Sequence, residues 1–372
     1  MRLFGSKAAR AGARPALTRG LGVIGAPAGE WPQGYEAQVR AACLGNAVAQ
    51  RAIRIVAEGA GNVTVDATPE GLRMARLLKG ATNGPPLIET IAAHLLLHGN
   101  AFVQIGCDAD GMPAELYALR PERVTIEPDA SGWPATYVYR AGGIVSRLPA
   151  QPADGRPAIA HIRGLHPLDD HYGLGCLGAA AGPVAIHNAA TRWNKALLDN
   201  AARPSGALVY DPGEPGASLS PDQFERLKAE MEAGFSGHDN AGRPMLLEGG
   251  LKWQALSLTP ADMDYVNLKA AAAREIALAF GVPPMLLGLP GDNTYANYSE
   301  ANRALWRLTV LPLAGKIMGG LEAALRGWWP ELRLAIDLDA IPALAADREA
   351  LWTQVKGADF LSDDEKRAMV GF

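Results

Sequence analysis

Apolar residues recur at helical spacing over residues 38–58, at Val39, Ala42, Cys43, Ala47, Ile53 and Val56, and residues 62–65 then read as a short strand. A helix is predicted over 69–79. Pro85 and Pro86 open the next one, through Ile88, Ile91, Ala92, Leu95 and Leu96, and Gly99 closes it. Proline presets the φ of a first helical turn, and glycine accepts the left-handed conformation that follows a last one. From 101 to 163 the pattern changes to short β-rich runs, predicted as strands at 101–105, 115–119, 124–127, 135–139, 144–148 and 158–162. Turn pairs at Asp110-Gly111, Ser131-Gly132 and Gly142-Gly143 separate them, so an antiparallel meander is expected.

A loop over 166–175 leads to an Ala-rich helix that reaches residue 202, with Val184, Ile186, Trp193, Leu197 and Leu198 as its larger apolar groups. Pro183 stands inside it and is read as its true start, leaving 177–182 as a lead-in turn. Then come a strand at 207–210, a Pro/Gly turn at 211–216, and a helix capped by Ser220-Pro221-Asp222 that carries Phe224, Leu227 and Met231. Residues 245–247 and 251–258 are expected to form a hairpin turned at Gly249-Gly250. A second long helix starts near 260 and runs through Ile276 to Phe280, where Gly281-Val282-Pro283-Pro284 ends it. After a polar loop at 288–297, a third long helix spans 298–325 with a kink at Pro312, which lacks a backbone donor. A strand at 333–338 and an amphipathic helix at 347–356 complete the chain, and no internal repeat is evident.

With 372 residues, 48% of them hydrophobic and 20% charged, the chain has the makings of a substantial core in two domains or one elaborated one. Residues 1–25, rich in Gly, Ala, Arg and Pro, read as a flexible basic arm. The net charge of −4 argues against broad electrostatic gripping of nucleic acid, which needs many Lys and Arg against phosphate. Cys43, Cys107 and Cys176 are far apart and odd in number, which fits a reducing cytoplasm better than a disulfide framework or a cysteine zinc site. No apolar stretch follows the N-terminal Arg and Lys residues and no eighteen apolar residues run together, so neither a signal peptide nor a membrane span is expected, and no membrane is counted among the partners.

Gly20, Gly22 and Gly25 match a dinucleotide-binding spacing, but no strand precedes them and Pro27 stands where the helix should begin. Gly315-Lys316 lacks the hydroxyl residue of a phosphate loop, since Ile317 follows. His161, His166, Asp169, Asp170 and His171 are the best metal-site candidates, although five-residue steps do not align the histidines on one helix face. No G-x-S-x-G, H-E-x-x-H or kinase signature appears, and Ser is too sparse near His to suggest a hydrolytic triad. No catalytic residue, cofactor or resident metal is therefore assigned. Arg303 and Arg307, one helical turn apart, with Lys316 beyond them, form a basic stripe that reads equally as a solvated face or a DNA-facing one.

Several strings resemble the portal proteins of the HK97-like phage family. They are Leu97-His98-Gly99-Asn100-Ala101-Phe102-Val103, the run from Leu116 to Val124, His161-Ile162-Arg163, Tyr172-Gly173-Leu174-Gly175, Phe280 to Gly288, Asn297-Tyr298-Ser299-Glu300-Ala301 and Leu311-Pro312-Leu313. Each is short; their order and spacing, over about three quarters of the chain, carry the likeness. The short length and compact C-terminus further resemble the portals of gene transfer agents, phage-derived particles of alphaproteobacteria.

The resemblance implies an α+β portal fold. Residues 26–175 would be most of a mixed α/β wing, 176–202 and 260–282 the two stem helices, and 203–259 a small αβ clip. A tunnel-loop region at 283–297, a kinked channel helix at 298–330 and a reduced crown at 331–372 would follow. Gly291, Asp292, Asn293, Thr294 and Tyr295 would be the tunnel-loop residues near DNA, Arg303, Arg307 and Lys316 channel-facing cations, and Tyr210, Asp211 and Glu214 docking residues of the clip. By the same analogy twelve copies form a ring at one capsid vertex, built in the bacterial cytoplasm and then carried on a released particle. The partners implied are double-stranded DNA passing without sequence reading, the large terminase, a head-tail adaptor and the major capsid protein. The rival readings are a metal-dependent hydrolase using His161, His166, Asp170 and His171, and a capsid scaffold or adaptor that forms no ring.

Overall fold

A computed structural model describes residues 17, 34–66, 74, 77–78, 84–152, 154–199, 206–210, 219–235, 251–255, 265–289 and 294–370. The expected basic arm at 1–25 lies outside them except for Leu17, and of the helix expected at 69–79 only the buried, helical Met74, Leu77 and Leu78 fall within. The chain divides into two compact units, one of residues 1–181 with 276–372, the other of residues 182–275.

In the first unit, helix α1 (Tyr35–Val39) passes into a π-turn at Arg40–Leu44, and a break at Gly45 precedes α2 (Ala47–Gly61). The single helix expected over 38–58 is thus split. The reason is local: the Asn46 side chain accepts a bond from the Ala49 N–H and so caps a new helix start. Helix α3 (Leu87–His98) begins after Pro86 and ends at Gly99, whose φ of 80° takes the left-handed turn that its position predicts.

The β region departs from a single meander. Strands β2 (Asn100–Cys107), β3 (Pro113–Leu119) and β7 (Ile159–Arg163) form one antiparallel sheet in the order β3-β2-β7. Strands β4 (Val124–Pro128), β5 (Pro134–Ala141) and β6 (Ile144–Pro149) form a second sheet inserted between β3 and β7. Alternation alone does not say which strand returns to pair with β2. All the predicted turn glycines, Gly111, Gly132, Gly142 and Gly143, have positive φ. The Gly142-Gly143 pair makes a two-residue hairpin between β5 and β6, a connection that needs two such residues. Phe102, Leu119, Val124, Ile126, Tyr137 and Ile159 join the two sheets in one buried cluster.

The second half of this unit closes over the first. Helix α7 (Tyr295–Leu305), a π-turn at Trp306–Val310 and helix α8 (Leu311–Leu325) follow one another, and α8 packs on α2, α3 and β7 through Ala314, Ile317, Met318, Leu321 and Leu325. A short strand, β10 (Ala335–Ile336), pairs antiparallel with β1 (Val65–Asp66). The strand expected at 333–338 is therefore present but brief. Helices α9 (Ala345–Lys356) and α10 (Asp363–Val370) end the unit; α10 was not foreseen, although Ser362 and Glu365 form the reciprocal cap that announces such a helix.

The second unit holds most of α4 (Leu177–Asp199) and of α6 (Tyr265–Ala279). Between them a hairpin of β8 (Gly206–Tyr210) and β9 (Leu251–Ala255) pairs antiparallel, with helix α5 (Pro221–Phe235) in the intervening sequence. Ser220 and Gln223 cap α5 reciprocally. Residues 245–247, expected to pair with 251–258, and the turn at Gly249-Gly250 lie outside the described residues. Pro183 is not a helix start: α4 runs continuously from Leu177 with Pro183 inside it, giving up one backbone hydrogen bond.

Candidate functional site

Two of the strings that carried the resemblance meet at a buried junction where α4 begins. Asn100, fully buried at the head of β2, donates from Nδ2 to the Gly173 carbonyl at 3.0 Å and accepts at Oδ1 from the Gly173 N–H at 2.7 Å. The same amide reaches His98 Nδ1 and His161 Nε2, each at 3.1 Å. One side chain thereby ties the end of α3, strand β7 and the loop before α4. Backbone bonds complete the joint, from the Gly164 N–H to Gly99 O at 2.7 Å and from the Cys176 N–H to Leu96 O at 2.8 Å.

The chains approach so closely that glycine is required. A Cβ on Gly173 would lie 2.1 Å from Gly99 O, and one on Gly175 would lie 2.6 Å from Leu97 O. Tyr172 extends the joint to the second sheet, its hydroxyl accepting from the Ile126 N–H at 2.9 Å. Burial keeps the histidines neutral: His161, stacked on Phe102 at 4.3 Å, is lowered to about 3, and His98 is lowered as well. His94, one turn before His98 on α3, is lowered to about 4, mainly by burial. A neutral His98 fits the bond to Asn100, since a protonated Nδ1 would meet the amide N–H donor to donor.

The residues of the rival metal site do separate work. His161 belongs to this junction, and Asp169 accepts from the N–H groups of His171 and Tyr172 at 2.7 and 2.9 Å. His171 faces the Gly132 carbonyl, and His166 accepts from the Leu168 N–H. Among the described residues, no three His, Cys, Asp or Glu side chains are grouped to hold an ion.

Of the expected tunnel-loop residues, Gly291, Asp292 and Asn293 lie outside the described residues. Thr294 is the cap of α7, its hydroxyl accepting from the Asn297 N–H, and Tyr295 is the first helical residue. The helix therefore starts three residues before the expected 298, because Thr294 supplies a cap that apolar spacing does not register. Before it, Pro284–Leu287 forms a 3-10 turn that Gly288 ends with a φ of 72°.

The expected basic stripe is partly neutralised. Arg303 pairs with Glu300 at 3.0 Å and with Asp347 at 3.5 Å, and Arg307 reaches the same Asp347 at 3.8 Å. Lys316 is exposed and has no acidic partner among the described residues. Of the residues expected to dock partners, Tyr210 is half-buried at the end of β8, whereas Asp211 and Glu214 lie outside the described residues.

Known proteins match this arrangement over most of its length. The family model described as phage portal protein covers residues 47–371. An uncharacterized protein of Rickettsia felis is 40% identical over 347 residues, covering 88% of this chain and 86% of its own. A chain in the neck of a native gene transfer agent particle, computed with C12 symmetry, is 45% identical, with a TM-score of 0.70 over 92% of this chain and 95% of that one. The HK97 family phage portal protein of Corynebacterium diphtheriae shares the fold, at 19% identity and a TM-score of 0.57, over 84% of this chain and 99% of that one. The family model over residues 47–371 and these relatives show that the chain belongs to the phage portal protein family.

Proposed function

We infer that this chain is a portal subunit of a gene transfer agent or related phage-like particle, one copy of a ring at the neck through which DNA enters and leaves. The observation that carries this reading is the 45% identity and near complete overlap with a chain of a particle neck computed with C12 symmetry. Twelve copies per ring are the corresponding stoichiometry. The work of such a protein is structural, and no chemical step is assigned to it.

In this reading residues 26–175 form most of the wing, facing the major capsid protein. The helices at 176–202 and 260–282 form the stem, and 203–259 the clip that docks the large terminase and later a head-tail adaptor through Tyr210, Asp211 and Glu214. Residues 283–297 form the tunnel-loop region, 298–330 the channel helix and 331–372 a reduced crown. A conduit must let the duplex slide, so dense phosphate binding would oppose its function. The net charge of −4 and the acidic partners of Arg303 and Arg307 suit that requirement, leaving Lys316 as the freer cation of the three.

The loop centred on Gly291, Asp292, Asn293 and Thr294, with Tyr295, contacts DNA without reading its sequence. Replacing residues 290–293 by a shorter Gly-Ser link tests this in particle-producing cells. The expected result is assembled rings with a reduced DNA content per particle; normal DNA content, or loss of ring assembly, would contradict it.

A further inference from the structure

Helix α8 and the π-turn before it contain more apolar surface than the fold covers. An 18-residue window of the run Ala296–Leu325 has a mean hydropathy of 1.3, enough by length and composition for a membrane span, yet only 33% of that window is buried. Its buried side, Val310, Ala314, Ile317, Met318, Leu321 and Leu325, faces the core of its own unit. The opposite side carries Leu308, Pro312, Gly315, Gly319 and Ala323, all exposed and spaced by four, three, four and four residues, so they lie on one helix face. Leu308 is 77% exposed, and Leu278, joined to the same corner through the Gly281–Thr309 contact, is 79% exposed. Lys316, one turn from both Pro312 and Gly319, is an exposed charge on this side of the helix, and Arg307 is exposed beside Leu308.

The glycines distinguish this face from a merely solvated one. A Cβ on Gly320 would meet Ile162 at 2.7 Å, so close packing on β7 accounts for that residue. Among the described residues, Gly315 and Gly319 have nothing within 4 Å of their Cβ positions, and the packing of those residues gives no reason for either glycine. Glycine inside a helix weakens it, and small residues four apart are what let a second backbone come close.

We propose that the face formed by Leu308, Pro312, Gly315, Gly319 and Ala323 is a contact with the neighbouring copy of this chain. The proposal rests on the ring reading above. A ring of identical copies gives every subunit one neighbour on each side, and the neck of the 45% identical relative was computed with C12 symmetry. A second copy therefore covers an apolar helix face whose other side is already committed to its own core.

The test uses the purified full chain. Gly319→Ala is expected to raise the melting temperature of the monomer, because alanine favours helix, while lowering the fraction of ring seen by mass photometry. Leu308→Asp with Gly319→Glu is expected to shift the mass from ring to monomer with an unchanged circular dichroism spectrum. A photo-crosslinking amino acid at position 308 should join adjacent copies in wild-type-like rings, a readout that does not depend on how the variants fold. Rings that persist in the double variant, or that form without crosslinks between copies from position 308, overturn the proposal and leave the ring reading standing. If the unmodified chain forms no ring even when co-expressed with its particle proteins, both fall.

Discussion

At the scale of single residues, the junction at Asn100 is the most demanding place in the molecule. Its amide satisfies both backbone groups of the buried Gly173 and meets two partly buried histidine rings. Asn100→Ala would leave those groups buried without partners, at a cost of about 3 kcal/mol in a urea titration. An unchanged midpoint would mean that the groups find other partners. Glycine supplies a paired comparison. Gly173→Ala should destabilise the fold by more than about 2 kcal/mol because its Cβ collides with Gly99 O, whereas Gly178→Ala, with open space on α4, should be neutral or stabilise it by up to about 1 kcal/mol.

Titration at this junction gives a pH dependence with a definite sign. His94 and His161 are lowered from 6.5 to about 4 and about 3, and His98 is lowered too, so in the folded chain they stay neutral where the unfolded chain is already protonated. The unfolded state then binds more protons, and stability falls as pH drops. Their contribution is complete above about pH 6.5 and is lost progressively from there down towards the folded values. At pH 4.5 the loss is on the order of 2 kcal/mol for each of His94 and His161. Unfolding midpoints between pH 7.5 and 4.5 check this, and His161→Gln, which keeps a side-chain donor, should flatten the slope.

At the scale of elements, the irregular point in the run from α7 to α8 lies ahead of the proline. Pro312 has no N–H for the carbonyl of Leu308, and the chain answers with a π-turn at Trp306–Val310, in which the Leu311 N–H bonds to Trp306 O. Asp347 of α9 then binds Arg303 and Arg307 on either side of the join between α7 and that turn. A double-mutant cycle between Arg303→Ala and Asp347→Ala should give a coupling of about 1 kcal/mol that shrinks in 1 M salt, since Arg303 is only partly exposed. Zero coupling would mean that this pair does nothing to hold α9, which Arg348 also ties to Asp339 and the Val370 carbonyl.

The same elements show what the sequence makes legible. Gly99, Gly111, Gly132, Gly142 and Gly143 announce their turns because few other residues accept positive φ, and the strands between them fall within about two residues of expectation. Asn46 and Thr294 are as local as those glycines, but a hydrophobic pattern is blind to a capping side chain, so one helix was expected whole and another three residues late. The return of β7 to β2 and the pairing of β1 with β10 are long-range choices that depend on which apolar faces meet. The junction was visible only as two unexplained strings far apart in the chain. Nothing in either one states that Asn100 would bind Gly173.

At the scale of the whole molecule, the net charge of −4 and the unclaimed apolar face on α8 point the same way. A subunit that passes DNA without holding it needs little basic charge of its own, and one that works in a ring needs surfaces for its neighbours. Both features become ordinary once copies are placed side by side. The most direct test is the mass and shape of the purified 39.2 kDa chain, by mass photometry with negative-stain microscopy. The account predicts closed rings with a central hole and a mass of about 470 kDa, twelve times the subunit mass. A compact particle without a bore, or a chain that stays monomeric even when produced with its particle proteins, would contradict it.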